Sequence, residues 1–215
     1  RVQGTLHKVS GPLTRDVGRG ERMKRTVIII SFLALACCLS YAEDTSPTLP
    51  DSQEFTKLRN TIASRDDYNP KWDADDRTAI FEAHKEKDYR KAITLAEKWL
   101  AKLPVDTSVM YVTAFNYLRL RQYSEFSRMY YQYLGLIDSI LSSGDGKTVN
   151  TAYHVISLTE EYAVLNELKL ELEEQALVSG CDAMTCTDRD GNKVVLYFNV
   201  SRVLQARKKF LIPDK

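Results

Sequence analysis

Apolar positions recur at helical spacing through most of this chain, and only near its C-terminal end does the period fall to two. Phe55, Leu58 and Ile62 mark the first stripe, which Asp51 opens with Glu54 three residues on, an N-cap arrangement. Tyr68-Asn69-Pro70 ends it. Ala79, Ala83 and Lys87 lie on one face of a short second helix. From Tyr89, the positions Ala92, Ile93, Ala96, Trp99, Leu100 and Leu103 form a nearly unbroken 3.6-residue stripe that Pro104 stops. Ala114 and Tyr117 belong to the next helix, and Tyr123, Phe126 and Tyr130 to the one after. Residues 142–147 (SSGDGK) are a turn-rich break. Beyond it the pattern predicts a helix capped by Thr148, with Val149, Ala152, Tyr153 and Ile156 inward. A Ser157–Glu160 capping box then opens another, with Tyr162, Leu165 and Leu172 inward and Gly180 at its end. Residues 185–188 and 193–200 flank Asp190-Gly191 and predict a β-hairpin, and the basic residues 201–211 a last short helix. The expected class is mainly α (α+β): antiparallel helix pairs followed by a small C-terminal β-hairpin.

Two of the helix pairs carry a family likeness. The string KDYRKAITLAEKWLAKLPVD resembles the second half of a tetratricopeptide repeat. Tyr89, Ala92, Ala96 and Pro104 stand where that 34-residue pattern wants them, while Trp99 replaces a small residue. The following unit is degenerate, with Phe126 where Ala is expected and no closing proline. Three repeats are normally needed for independent stability, so two must pack on something else.

Composition adds an address. The chain has 215 residues, 30 Lys+Arg against 29 Asp+Glu and 44% hydrophobic residues, which excludes collagen-like, disordered and disulfide-dense classes. A net charge of +1 gives no electrostatic case for nucleic acid. Met23, Lys24 and Arg25, the apolar residues 27–39, and Ser40-Tyr41-Ala42 have the layout of a secretory signal peptide. The organisation expected is an upstream extension over 1–22, a signal peptide over 23–42 and a linker over 43–52. A helical-repeat-like domain follows over 53–180, with a β-hairpin and basic tail over 181–215 packed on it. Residues 43–215 then carry a net charge of −4, which argues against nucleic acid and anionic lipid as partners. Ala34-Leu35-Ala36-Cys37 is a partial lipobox, so lipidation at Cys37 is the alternative, and a membrane partner is expected only in that case. In an oxidising compartment Cys181 and Cys186 are candidates for a small disulfide loop.

Five pieces together resemble a family of exported bacterial proteins known as domain of unknown function 4919. They are Tyr68-Asn69-Pro70, Ser143-Gly144-Asp145-Gly146-Lys147, Val155-Ile156 followed by Glu160-Glu161-Tyr162, Gly180-Cys181-Asp182, and Leu196-Tyr197-Phe198-Asn199. The likeness spans residues 55–211. It implies an exported helical protein with a small C-terminal β-element and no assigned activity; Cys186 and the basic tail fall outside the pattern.

The candidate chemistry is sparse. The string LSSGDGKT has Leu141 at the first glycine position of a phosphate-binding loop and follows a helix, so it reads as a turn into a capped helix, with Asp145 and Lys147 as contact candidates. Asp188 to Asn192 does not keep the spacing of a calcium loop and reads as a hairpin turn. His84 reads as a solvated position. His154, with Glu160 and Glu161 nearby, is a weak catalytic constellation, since six residues is not a helical ligand spacing. Tyrosine is enriched: six of the 12 fall between Tyr111 and Tyr133, and Tyr130, Tyr131 and Tyr133 cannot all point inward. Tyr111, Tyr131 and Tyr133 are therefore candidates for a binding surface, against aromatic packing between helix pairs. The expected function is a non-catalytic scaffold or adaptor for an envelope protein or peptide, with no cofactor and no metal. The alternatives are a periplasmic hydrolase using His154 with Glu160 and Glu161, and an envelope lipoprotein anchored through Cys37.

Overall fold

A computed structural model describes residues 51–70 and 75–211, with the side chains of 209–211 left aside. The expected extension, the signal peptide, Cys37 and nearly all of the linker lie outside the described residues. Among the described residues seven helices and four strands follow one another: α1 (Ser52–Ala63), α2 (Asp75–Lys85), α3 (Tyr89–Lys102), α4 (Thr107–Arg119), α5 (Tyr123–Leu141), β1 (Tyr153–His154), α6 (Leu158–Leu168), β2 (Glu171–Val178), β3 (Cys181–Thr187), β4 (Lys193–Asn199) and α7 (Ser201–Leu211). The protein is mainly helical α+β, as the periodicity implied.

The first helices begin where a side-chain oxygen can take an orphan amide. Asp51 accepts from Gln53 N at 2.9 Å, Asp88 from Lys91 N at 3.1 Å and Asp106 from Val109 N at 3.2 Å. Asp106 is fully buried and also accepts from Arg77 Nε (2.7 Å) and Trp99 Nε1 (2.9 Å), so the indole that departs from the repeat pattern ties α3 to the start of α4. The α2–α3 and α4–α5 turns each pass through a left-handed residue, Lys87 (φ 65°) and Arg121 (φ 60°), which lie 34 positions apart. A helix-pair unit thus recurs at that spacing. Between α4 and α5, Tyr111, Phe115, Phe126, Tyr130 and Tyr133 stack with centroids 4.6–6.2 Å apart. The helix α1 packs on α5.

The C-terminal half differs from the pattern in two places. The helix expected from Thr148 is a single 3-10 turn, Val149–Thr151, followed by extended backbone and β1. Asp145 N and Gly146 N both donate to Thr151 O, at 3.0 and 2.8 Å, occupying the carbonyl that an α-helix would have used. The glycines permit this approach: a Cβ on Gly144 would sit 2.3 Å from that same oxygen. The second difference is that α6 stops at Leu168, where Lys169 turns left-handed (φ 59°), and residues 171–178 form β2. That segment, ELEEQALV, is made of good helix formers, but β3 supplies a ladder for it, and Ser179 (φ 51°) with Gly180 (φ 79°) forms the tight turn between them.

The sheet is therefore larger than the expected hairpin, with order β1-β4-β3-β2. Strands β2, β3 and β4 run antiparallel to their neighbours, while β1 adds in parallel through Tyr153↔Phe198 and His154↔Asn199. The expected turn at Asp190-Gly191 joins β3 to β4, with the Asp188 carboxylate accepting from Asp190 N and Asn192 N. Met184, Cys186, Leu196 and Phe198 face a hydrophobic core shared with Val164 and Leu165 of α6 and with Tyr133 and Leu136 of α5. Among the described residues, no helix is long and apolar enough to cross a membrane.

Candidate functional site

A cavity of about 1130 Å³ runs as an open groove along α1. Gln53, Thr56, Lys57, Asn60, Thr61 and Ser64 recur at three- and four-residue steps and so share one stripe of the helix. The facing wall comes from four places: Ser142 and Ser143 after α5, His154 of β1, Asn199 of β4, and Ser201 and Arg202 at the start of α7. Arg59, Ser139, Val155 and Ile156 are buried at its base. The lining is hydroxyl, amide and cationic. Among the described residues, no Asp or Glu lines this groove.

The base is fixed by a buried ion pair. Arg59 donates from Nε and Nη2 to the two carboxylate oxygens of Glu160 at 2.9 and 2.7 Å, and Nη2 also reaches His154 O at 2.7 Å. Arg59 is 4% exposed and Glu160 not at all. Glu160 additionally accepts from Ile156 N at 2.8 Å. The expected capping box is thus replaced: Ser157 makes no cap bond, and the N3 glutamate spends its carboxylate on Arg59 and the chain before the helix. Near this pair lies the Tyr68 hydroxyl, buried without a partner among the described residues, its acidity lowered by burial and then by the Glu160 charge. Arg202 Nη1 donates across the groove to Asn60 Oδ1 at 2.6 Å. His154 N donates to Ser143 Oγ at 2.8 Å, and the imidazole itself is exposed.

Behind the groove Glu161 points the other way. It is fully buried and faces Asp182 of β3, which accepts from Gln175 Nε2 at 2.8 Å, whose Oε1 accepts in turn from the Tyr162 hydroxyl. Burial first, and the Asp182 charge second, push the Glu161 carboxyl up to about 9. Neither Glu161 oxygen has a hydrogen-bond partner among the described residues, so this carboxyl is buried against Asp182 in its neutral form, while Glu160 ties α6 to α1.

The other sequence candidates are scattered. Glu160 is brought near His154 through the Arg59 they share but is committed to that guanidinium, and Glu161 faces Asp182 behind the groove. Asp145 and Lys147 are exposed; the Asp145 carboxylate accepts from Lys147 N at 3.0 Å and is held below its usual range by hydrogen bonds from Thr151 and that amide. Neither lines the groove. Tyr133 is 1% exposed and belongs to the core rather than to a surface, while Tyr111 and Tyr131 are half-buried. The exposed tyrosines of these helices are Tyr123 and Tyr162. His84 is half-buried instead of solvated, its Nδ1 2.6 Å from Asn116 Oδ1. Cys181 and Cys186 are buried free thiols. They are five residues apart on one strand, about 16 Å at the rise of a β-strand, far beyond disulfide reach, and burial raises both thiols. Among the described residues no cluster of His, Cys, Asp and Glu is placed to hold a metal ion.

Arg59 is absent from the expectations, and Asp182 enters them only among the residues that carry the family likeness. The signal for Arg59 was a cation on the apolar stripe of α1, four residues after Phe55 and three before Ile62. For Glu160 and Glu161 it was their position four residues before Val164 and Leu165, on the face that α6 buries. The family model described as domain of unknown function (DUF4919) matches residues 41–209, most of the chain. The protein belongs to this family. No curated protein and no solved structure matches the chain. The residues that carried the family likeness meet at this site: Ser143, Val155, Ile156 and Asn199 line the groove, Glu160 anchors its base, and Glu161 faces Asp182 behind it.

Proposed function

We propose that this DUF4919 protein is an exported, non-catalytic adaptor that holds an extended polypeptide segment in the groove along α1. The observation that carries the reading is the groove itself. From Gln53 to Ser64 the α1 stripe spans about 16 Å, the length of about five residues of extended chain. Its serines, threonines and asparagines offer donors and acceptors at intervals suited to an unpaired peptide backbone. Export is supported by the signal-peptide layout ahead of Ala42, and a tetratricopeptide-like scaffold by the helix pairs that recur after 34 residues. A binding role is favoured over hydrolysis because Glu160 is committed to Arg59 and Glu161 faces Asp182 behind the groove, so neither serves His154.

Site-specific photocrosslinking tests this. A benzophenone side chain placed at Thr56 or Ser201 of the exported protein is expected to give a protease-sensitive adduct in the native envelope, and one placed at Lys85 or Glu86 of the α2–α3 turn is expected to give none. Equal adducts from all four positions, or none from the groove, would sink the reading.

A further inference from the structure

We infer that the segment held in this groove is acidic, and that one of its carboxylates docks on the Arg202 guanidinium with Lys57 as the second charge. The inference rests on the peptide-binding reading and names the chemistry of its ligand. Among the described residues three cations line the groove, Lys57, Arg59 and Arg202, but they are not equivalent. The Arg59 charge is matched from behind by Glu160, so it contributes little net potential. Lys57 is exposed and makes no ion pair among the described residues. Arg202 is exposed as well, and its one described side-chain bond is to a neutral amide, Asn60 Oδ1.

That amide sets the geometry. Asn60 lies three residues after Lys57, one helical turn along the same stripe, so the bond from Arg202 Nη1 brings the guanidinium to the stretch of α1 that carries Lys57. One arm of the fork is used, and Nε and Nη2 remain to meet a carboxylate in two parallel bonds. Two cations lining one groove repel each other, and an incoming anion relieves that repulsion. Among the described residues no carboxylate in the lining competes for that place. The two unmatched cations therefore favour a negative segment on approach. Asn60 acts as a positioning residue: it carries no charge to the ligand but fixes the group that does.

The test uses the purified full chain and two fluorescein-labelled peptides, Ser-Glu-Glu-Ser-Glu and its isostere Ser-Gln-Gln-Ser-Gln, read by fluorescence anisotropy at about 0.15 M salt. The acidic peptide is expected to bind about tenfold tighter than the isostere. Arg202→Lys keeps the charge and loses the fork, and it is expected to weaken the acidic peptide about tenfold and leave the isostere unchanged. Asn60→Ala is expected to give a smaller loss in the same direction, with no change in salt dependence. Lys57→Gln is expected to weaken the acidic peptide and flatten its salt dependence. All three positions are exposed, and unchanged unfolding midpoints establish that each variant folds. Equal binding of the two peptides would overturn the inference and leave the groove reading standing. Binding of neither would remove both. Displacement of the acidic peptide by tripolyphosphate at lower concentration than by unlabelled peptide would assign the anion to phosphate and overturn a polypeptide source.

Discussion

Replacing Glu161 by Gln is expected to stabilise the protein at neutral pH, by about 1–3 kcal/mol, a large effect for a single substitution. The fully buried carboxyl titrates near 9 in the folded protein, pushed there by burial and then by Asp182, against an ordinary value of 4.5. Between those two values the folded state holds a proton that the unfolded chain releases. Stability must then fall as pH rises from about 4.5 to about 9, and level off beyond. A glutamine in place of the protonated acid keeps its shape and neutrality beside Asp182, offers that carboxylate an amide donor, and has no proton to lose. The advantage of Glu161→Gln is therefore greatest near pH 9, smaller at pH 7 and absent near pH 4.5. Thermal unfolding of both proteins across this range checks it. A variant that is less stable at every pH would mean that Glu161 is ionised and held by a partner other than Asp182.

Arg59→Met is expected to act in the opposite direction, with a loss of about 3–5 kcal/mol. The change leaves a fully buried carboxylate on Glu160 with only the Ile156 amide, and it also removes the donor to His154 O. Most of the loss is the penalty of an unmatched buried charge rather than the worth of the pair. The double variant Arg59→Met, Glu160→Leu is accordingly expected to recover a large part of it, short of full recovery because Ile156 N and His154 O stay unpaired. Denaturant unfolding of the single and double variants measures both terms. A single-variant loss below about 1 kcal/mol would show that water reaches Glu160 and that the base of the groove is not sealed.

The helical half was legible because its elements bury one face each. The stripe from Tyr89 to Leu103 needs no tertiary information, and Asp190-Gly191 declares its own turn. Strand β2 was not legible for a matching reason: as an edge strand exposed over nearly its whole length, it leaves no alternation to see, and its Glu, Leu, Gln and Ala content favours a helix. The turn after Thr148 was lost because its geometry is imposed by the glycine loop at 144–146, a contact between segments. The groove was the least visible feature. Its walls come from α1, the end of α5, β1, β4 and α7, and isolated serines and asparagines in each look like ordinary solvated positions. What did carry information was misplaced charge: Arg59, Glu160 and Glu161 all sit on apolar stripes, and all three prove to be buried in pairs.

A nitrogen–proton correlation titration of the labelled protein with the Ser-Glu-Glu-Ser-Glu peptide tests the binding groove most directly. Saturable shifts are expected at the amides of Thr56, Asn60, Ser143, His154 and Arg202, with the α4–α5 aromatic stack silent. Shifts centred on that stack, or on the exposed β2 edge, would place the binding surface elsewhere and contradict the assignment of the groove.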